Sequence, residues 1–217
     1  MDQLPWRPPP PVGADRLPGV PADQRESGPE RRTQVAAAAR AVIARDGLEG
    51  ASVRRVAAEA GSSTTVVTHY FADKDALLLA AVEDAYAAVA ARALAKAESG
   101  LTGLPGLRMI LLEALPLDAE RRAEARVWIA FWAAATIREE LRPVQTKGYR
   151  IWQEVVSRML VAAEARGQIR SGLDLVREGE HLMCLVDGLL LQSILEPRRL
   201  TADRQVKILD AALDRLC

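Results

Sequence analysis

Cysteine and histidine are scarce: Cys184, Cys217, His69 and His181 are all the 217-residue chain holds of them. Two cysteines fit a reduced interior and supply no disulfide framework. Two histidines leave little general-base capacity. The sequence also lacks a Ser-His-Asp set, paired catalytic carboxylates, a glycine-rich phosphate loop and metal-ligand spacing. An enzyme is not expected, nor a cofactor. His181 and Cys184 stand at i, i+3, but two ligands are too few for a metal. Long apolar runs are missing too: runs such as residues 77–82 and 182–186 fall far short of the ~20 residues that cross a bilayer. No basic stretch followed by an apolar core opens the sequence, so a secretory signal is not expected and a soluble, cytoplasmic protein is. β-branched residues are sparse and no segment alternates with period two for long, which argues against strands.

Net charge is absent as well, with 29 Lys and Arg against 29 Asp and Glu. The total hides its distribution. Residues 1–30 carry three basic and five acidic groups, residues 31–79 carry seven and five, and residues 80–217 carry 19 of each. The basic excess is local and small, a weak electrostatic argument for nucleic acid.

Helical spacing fills what remains. Eight of the twelve prolines lie in residues 1–30, a segment too poor in apolar residues to offset its ordering entropy, so residues 1–29 are expected to form a disordered arm. Ser27-Gly-Pro-Glu30 fits a capping box for a first helix that ends at Gly47. Ser52 caps a second, stopped by Gly61. Ser62 or Ser63 caps a third that ends near Tyr70-Phe71, and Asp73 caps a fourth that runs to Ser99-Gly100. Five more follow at about 104–115, 118–141, 144–166, 174–196 and 201–216, between Gly and Pro breakers. The fold class is all-α: a three-helix head over 30–80 and a larger helical body over 81–217.

The second and third helices, joined at Gly61-Ser62, fit a helix-turn-helix over a core of Val35, Ala39, Val42, Val56, Ala57, Val66 and Phe71. That leaves Thr64, Thr65, Thr68 and His69 on the outer face of the third helix. A threonine methyl can meet a thymine methyl, and backbone N–H groups near Ser52 and Ser63 can take phosphate oxygens. Lys74 stands in the first turn of the fourth helix, where the dipole disfavours a cation by ~0.3–1 kcal/mol, so an external anion would explain it. The blander reading is a solvated lysine offset by Asp73 and Asp75.

The stretch Ser52-Val-Arg-Arg-Val-Ala-Ala-Glu-Ala-Gly-Ser-Ser-Thr-Thr-Val-Val-Thr-His-Tyr-Phe-Ala-Asp-Lys-Asp-Ala-Leu-Leu78 resembles the DNA-binding domain of TetR-family repressors. The resemblance covers residues 31–80. Beyond them it extends to helical layout and size, with a likeness to the BetI-type branch over 127–132. It implies a homodimer on a palindromic DNA operator, released when a small-molecule inducer enters the body. It also implies Arg54, Thr64, Thr65 and His69 at base edges or adjacent phosphates, and Ser52, Tyr70 and Lys74 at phosphates. Thr68 departs from the family, which commonly has an aromatic residue there. The third helix lacks Arg and Lys, so it cannot make a bidentate guanine contact.

In the body, Trp128, Phe131 and Trp132 fall at i, i+3 and i+4. With Met109, Tyr149, Trp152, His181 and Cys184 they are the candidate walls of a pocket for a small apolar or amphipathic inducer. Candidate polar groups are His181, Asp187, Gln192 and Tyr149. For Asp187 the leading reading is a buried group paired with an arginine, or a hydrogen-bonding residue between helices. The last two helices present Leu182, Leu185, Val186, Leu189 and Leu190, then Val206, Leu209, Leu213 and Leu216. These would form a four-helix interface between two chains, or be satisfied within one. The rival to a repressor is a helical dimeric interaction module without DNA binding.

Overall fold

The computed structural model describes residues 28–97 and 100–217. Nearly all of the proline-rich arm lies outside the described residues, as do Ser27 of the expected capping box and the expected end of the fourth helix. The described residues form nine α-helices and one 3-10 turn: α1 (Gly28–Gly50), α2 (Val53–Glu59), α3 (Thr64–Tyr70), α4 (Lys74–Ala97), α5 (Gly103–Glu113), α6 (Ala119–Ile137), the turn Glu139–Leu141, α7 (Arg142–Ala165), α8 (Leu175–Leu195) and α9 (Ala202–Asp214). They carry no strand, and no helix among them is long and apolar enough to cross a membrane.

Side-chain caps set most of the starts. The Ser52, Ser63, Asp118, Asp174 and Thr201 side chains each accept an N–H three residues on, and the Asp73 carboxylate does the same at 2.8 Å for Ala76. Gly61 ends α2 in the left-handed conformation, φ 58°. The Gly61 N–H reaches Ala58 O at 3.2 Å and the Ser62 N–H reaches Ala57 O at 2.9 Å, the paired bonds of a Schellman turn that redirects the chain into α3.

Gly47 (φ 72°, ψ 175°) interrupts α1 where the sequence reading ends it, but the boundary after α6 departs from expectation. The helix expected over 118–141 stops at Ile137, because Arg138 is extended (φ −101°, ψ 108°) and its guanidinium pairs with Asp75 at the start of α4. The chain then restarts at Arg142 with Pro143 in the first turn, where a missing N–H costs nothing.

Two buried clusters hold the helices together. The first begins in the head with Val35, Ala39, Val42, Val56, Ala57, Val67 and Phe71 and continues through Leu77 and Leu78 of α4 into Val127 and Phe131 of α6. Val66, counted as core from its spacing, is half-exposed. Because α1 and α4 pack together and α1 also packs on α6, head and body share one continuous core. The second cluster joins α5, α7, α8 and α9 around Leu107, Leu160, Leu182, Leu209 and Leu213.

Candidate DNA-facing surface and ligand cavity

On the head, Ser63, Thr64, Thr65, Thr68 and His69 are exposed, Tyr70 is half-buried, and Val67 fixes the inner face of α3. Ser52 and Arg54 are exposed at the start of α2, and no described carboxylate pairs with Arg54. Its neighbour Arg55 is tied to Asp46 at 3.1 Å. Both caps use the serine oxygen on their own helix, at 3.3 Å to Arg55 N and Val66 N, which leaves earlier N–H groups of α2 and α3 pointing outward.

The structure corrects one sequence reading of Lys74, its offset by Asp73 and Asp75. Asp73 is occupied as the cap of α4 and Asp75 by Arg138, so neither offsets Lys74. Its Nζ instead donates to the Glu49 carbonyl at 3.3 Å and lies 3.6 Å from the Glu49 carboxylate, itself 90% exposed. An exposed pair of this kind is worth ~0–1 kcal/mol and yields readily to a phosphate.

The body holds a partly open cavity between α4, α5, α6, α7 and α8. Trp128, Trp132, Tyr149 and Trp152 line it, as the sequence reading has them, and so does Asp187. The other five candidates stand elsewhere. Phe131 is fully buried in the first cluster, and Met109 packs against the second. His181 is exposed and lies 3.6 Å from Glu178, and Cys184 is exposed. Gln192 is on the surface, where its Oε1 accepts from Arg199.

Tyr86, Gln145, Glu113, Arg121 and Glu124 line the cavity without having been singled out in the sequence. Tyr86 packs edge-on against Trp128, with ring centroids 4.0 Å apart. Its hydroxyl occupies the space that a Cβ at Gly148 would need, 2.1 Å from that position. Gly148→Ala is expected to lower stability by about 1–3 kcal/mol in urea denaturation, and adding Tyr86→Phe to return part of the loss.

The polar lining falls into two unlike groups. Glu113 and Glu124 are 1% and 2% exposed. Arg92 of α4 holds Glu124 by two hydrogen bonds, at 2.8 and 2.7 Å, and Glu113 by one at 3.0 Å; Arg121 approaches Glu113 at 3.6 Å. Hydrogen bonding to Glu124 raises the Arg92 pKa above its ordinary value. Asp187 is different. Its only described partner is the Tyr149 hydroxyl of α7, which donates to it at 2.8 Å; of the two sequence readings this is the hydrogen bond between helices and not the arginine pair. Burial pushes its pKa up, opposed by the Tyr149 hydrogen bond, and burial likewise raises Tyr149 and Tyr86. Trp132 Nε1 and Gln145 Oε1 are buried with no protein partner.

Comparison with known proteins agrees with this architecture. Residues 35–81 match the N-terminal domain of bacterial regulatory proteins of the tetR family, and residues 105–217 match the C-terminal domain of BetI-type transcriptional repressors. The transcriptional regulator PksA of Bacillus subtilis is 31% identical over 188 residues, 87% of this chain and 90% of that protein. A Rhodococcus transcriptional regulator of solved structure is 30% identical, with a TM-score of 0.75 over 85% of this chain and 95% of its own. A Saccharomonospora viridis regulator in complex with choline shares the fold at 22% identity, with a TM-score of 0.78 over 86% and 96% of the two chains. These relatives are named regulators of transcription, not enzymes. A capped helix-turn-helix built onto a helical body, matched by family descriptions over both parts, makes this chain a member of the TetR family of DNA-binding transcriptional regulators, with a BetI-type C-terminal domain.

Proposed function

We propose that the protein is a ligand-responsive repressor that binds a palindromic operator as a homodimer and is released by a small amphipathic inducer. The observation that carries this reading is the direct mechanical link from cavity to head. Helix α4 begins at Lys74 in the head and carries Tyr86 at the cavity, while α6 carries Trp128 and Trp132. Arg92–Glu124 ties α4 to α6 at the cavity, and Arg138–Asp75 ties them again at the head. Filling the cavity would press on both helices at once. A coupling of about 1–3 kcal/mol between inducer and operator suffices for a switch.

Ser52, Arg54, Ser63, Thr64, Thr65, Thr68, His69, Tyr70 and Lys74 form the DNA-contacting set in this reading. Trp128, Trp132, Tyr149 and Trp152, joined by Tyr86, Gln145 and Asp187, form the inducer site. An aromatic enclosure with one carboxylate that no described cation balances suits an organic cation, by ring quadrupole and by charge; choline in the Saccharomonospora protein is a precedent on this fold. The unpartnered Trp132 N–H and Gln145 oxygen supply one donor and one acceptor besides. Phenyltrimethylammonium is therefore expected to quench the indole fluorescence, and its uncharged isostere tert-butylbenzene to bind more weakly. Equal affinity for the two would remove the charge from the account.

The homodimer in this reading uses only part of the apolar surface of the last two helices. Leu182, Val186, Leu189, Leu190, Leu209, Leu213 and Leu216 are buried within one chain, and Leu185 and Val206 are partly covered. Cys184, Leu191 and Leu195 of α8 are exposed, and with Gly188 they follow a 4-3-4 spacing, the seam along which two α8 helices would meet.

Binding to DNA from upstream of its own gene tests the whole reading. The protein should prefer that DNA over random duplex and weaken steeply as salt rises. Lys74→Ala should lower the log–log salt slope by about one per chain. With Tyr70→Phe added, an unchanged cellular output would favour an interaction module instead.

A further inference from the structure

Thr68 sits where the family commonly carries an aromatic ring, and its side-chain conformation shows what it offers instead. Its Oγ1 donates toward the carbonyls of Thr64 and Thr65, at 3.1 Å each. A hydroxyl turned back on its own helix is not presented to a partner. The remaining substituent on Cβ, the Cγ2 methyl, is then the outward-facing atom of an exposed residue. Thr64 and Thr65, one turn before, are exposed beside it, and α3 contains no Arg, Lys, Asn or Gln. This surface is small and apolar at its centre, without a donor long enough to fork onto a guanine.

We infer that Thr68 is a specificity-determining residue which reads the C5 methyl of one thymine per half-site in the major groove, through Cγ2 and not through its hydroxyl. In that groove thymine alone among the four unmodified bases presents a methyl group, so an apolar contact there selects a T·A pair in one orientation. The short side chain also lets α3 approach the base edges more closely than an aromatic ring would allow. The inference rests on the DNA-binding reading above and adds to it the atom that does the reading.

The test needs an operator half-site, recovered by selecting random duplexes with the purified protein. Each thymine in it is then replaced by deoxyuridine, which removes only the methyl. One thymine per half-site should stand out, its replacement weakening binding roughly fourfold, the equivalent of burying one carbon's worth of apolar surface. Thr68→Ser keeps the hydroxyl and loses the methyl, and should bind the thymine and deoxyuridine duplexes equally. Thr68→Val keeps the methyl and loses the hydroxyl, and should retain the fourfold preference. The inference is overturned if every deoxyuridine is tolerated by the unaltered protein, or if Thr68→Ser keeps the preference and Thr68→Val loses it. A selection that enriches no duplex would overturn the DNA-binding reading itself, and this inference with it.

Discussion

Replacing Arg92 with methionine should cost the fold about 3–5 kcal/mol, the penalty for leaving one member of a buried ion pair behind. The Glu124 carboxylate is 2% exposed and receives both hydrogen bonds of the Arg92 fork. Without them it is left buried and without its cation. Glu113 retains Arg121 at 3.6 Å, so the damage falls mainly on Glu124. The double variant Arg92→Met with Glu124→Met should lose clearly less stability than Arg92→Met alone, since two apolar side chains can replace a buried pair that one cannot. Urea denaturation of the three proteins gives the order directly. A single variant no less stable than the double would mean that Glu124 is hydrated and that the network contributes little.

The second large effect separates stability from ligand binding. Asp187→Asn keeps an acceptor for the Tyr149 hydroxyl and removes the charge. If the inducer is a cation, phenyltrimethylammonium should bind about thirtyfold or more weakly, as expected when one partner of a desolvated charge pair is neutralised. The empty protein should respond in the opposite sense. Burial raises the folded pKa of Asp187, so the fold prefers its protonated form. That preference stabilises the protein below the unfolded pKa and is lost as pH rises through the folded one. At neutral pH the ionised group is a cost that asparagine does not carry, so the variant should melt at a higher temperature than the parent. The gap should close as pH falls through the carboxylate range, where the parent's affinity for the cation also falls. Stability given up at a binding site is a common arrangement. A variant that melts lower at neutral pH and still binds the cation would show that Asp187 serves the fold instead.

The head was legible in the sequence because its signals are local. Serine before a short apolar run, glycine after it and aspartate before Lys74 each act on the next three or four residues. The cavity was half legible, for a reason visible in α6. Trp128, Phe131 and Trp132 fall on one stripe, but positions 131 and 132 differ by about 100° around the axis. Phe131 therefore turns into the core shared with α1, and Trp132 into the cavity. Periodicity gives the stripe and not the neighbour on each of its edges. Tyr86 and Gln145 carry no local mark, since only the packing of five helices brings them together. Glu113 did carry one. A carboxylate between Leu111, Leu112 and Leu115 is as conspicuous as Asp187 among its leucines, and the same reasoning would have found it.

For α8 and α9 the sequence left two readings of their leucines open, and only tertiary packing separates them. The leucines that looked free to join a second chain are covered by α5 and α7 of their own. What remains exposed on α8 is a narrower seam at Cys184, Leu191 and Leu195.

Hydroxyl-radical footprinting of the protein on its selected operator, with the stoichiometry read from the same titration, bears most directly on the idea of two heads held at a fixed spacing. Two chains per duplex should protect two matching patches centred one helical turn, about 10 base pairs, or a whole multiple of it apart. Protection should fade from both together as a cavity-filling ligand is added. A single patch occupied by one chain, or protection that the ligand leaves untouched, would contradict it.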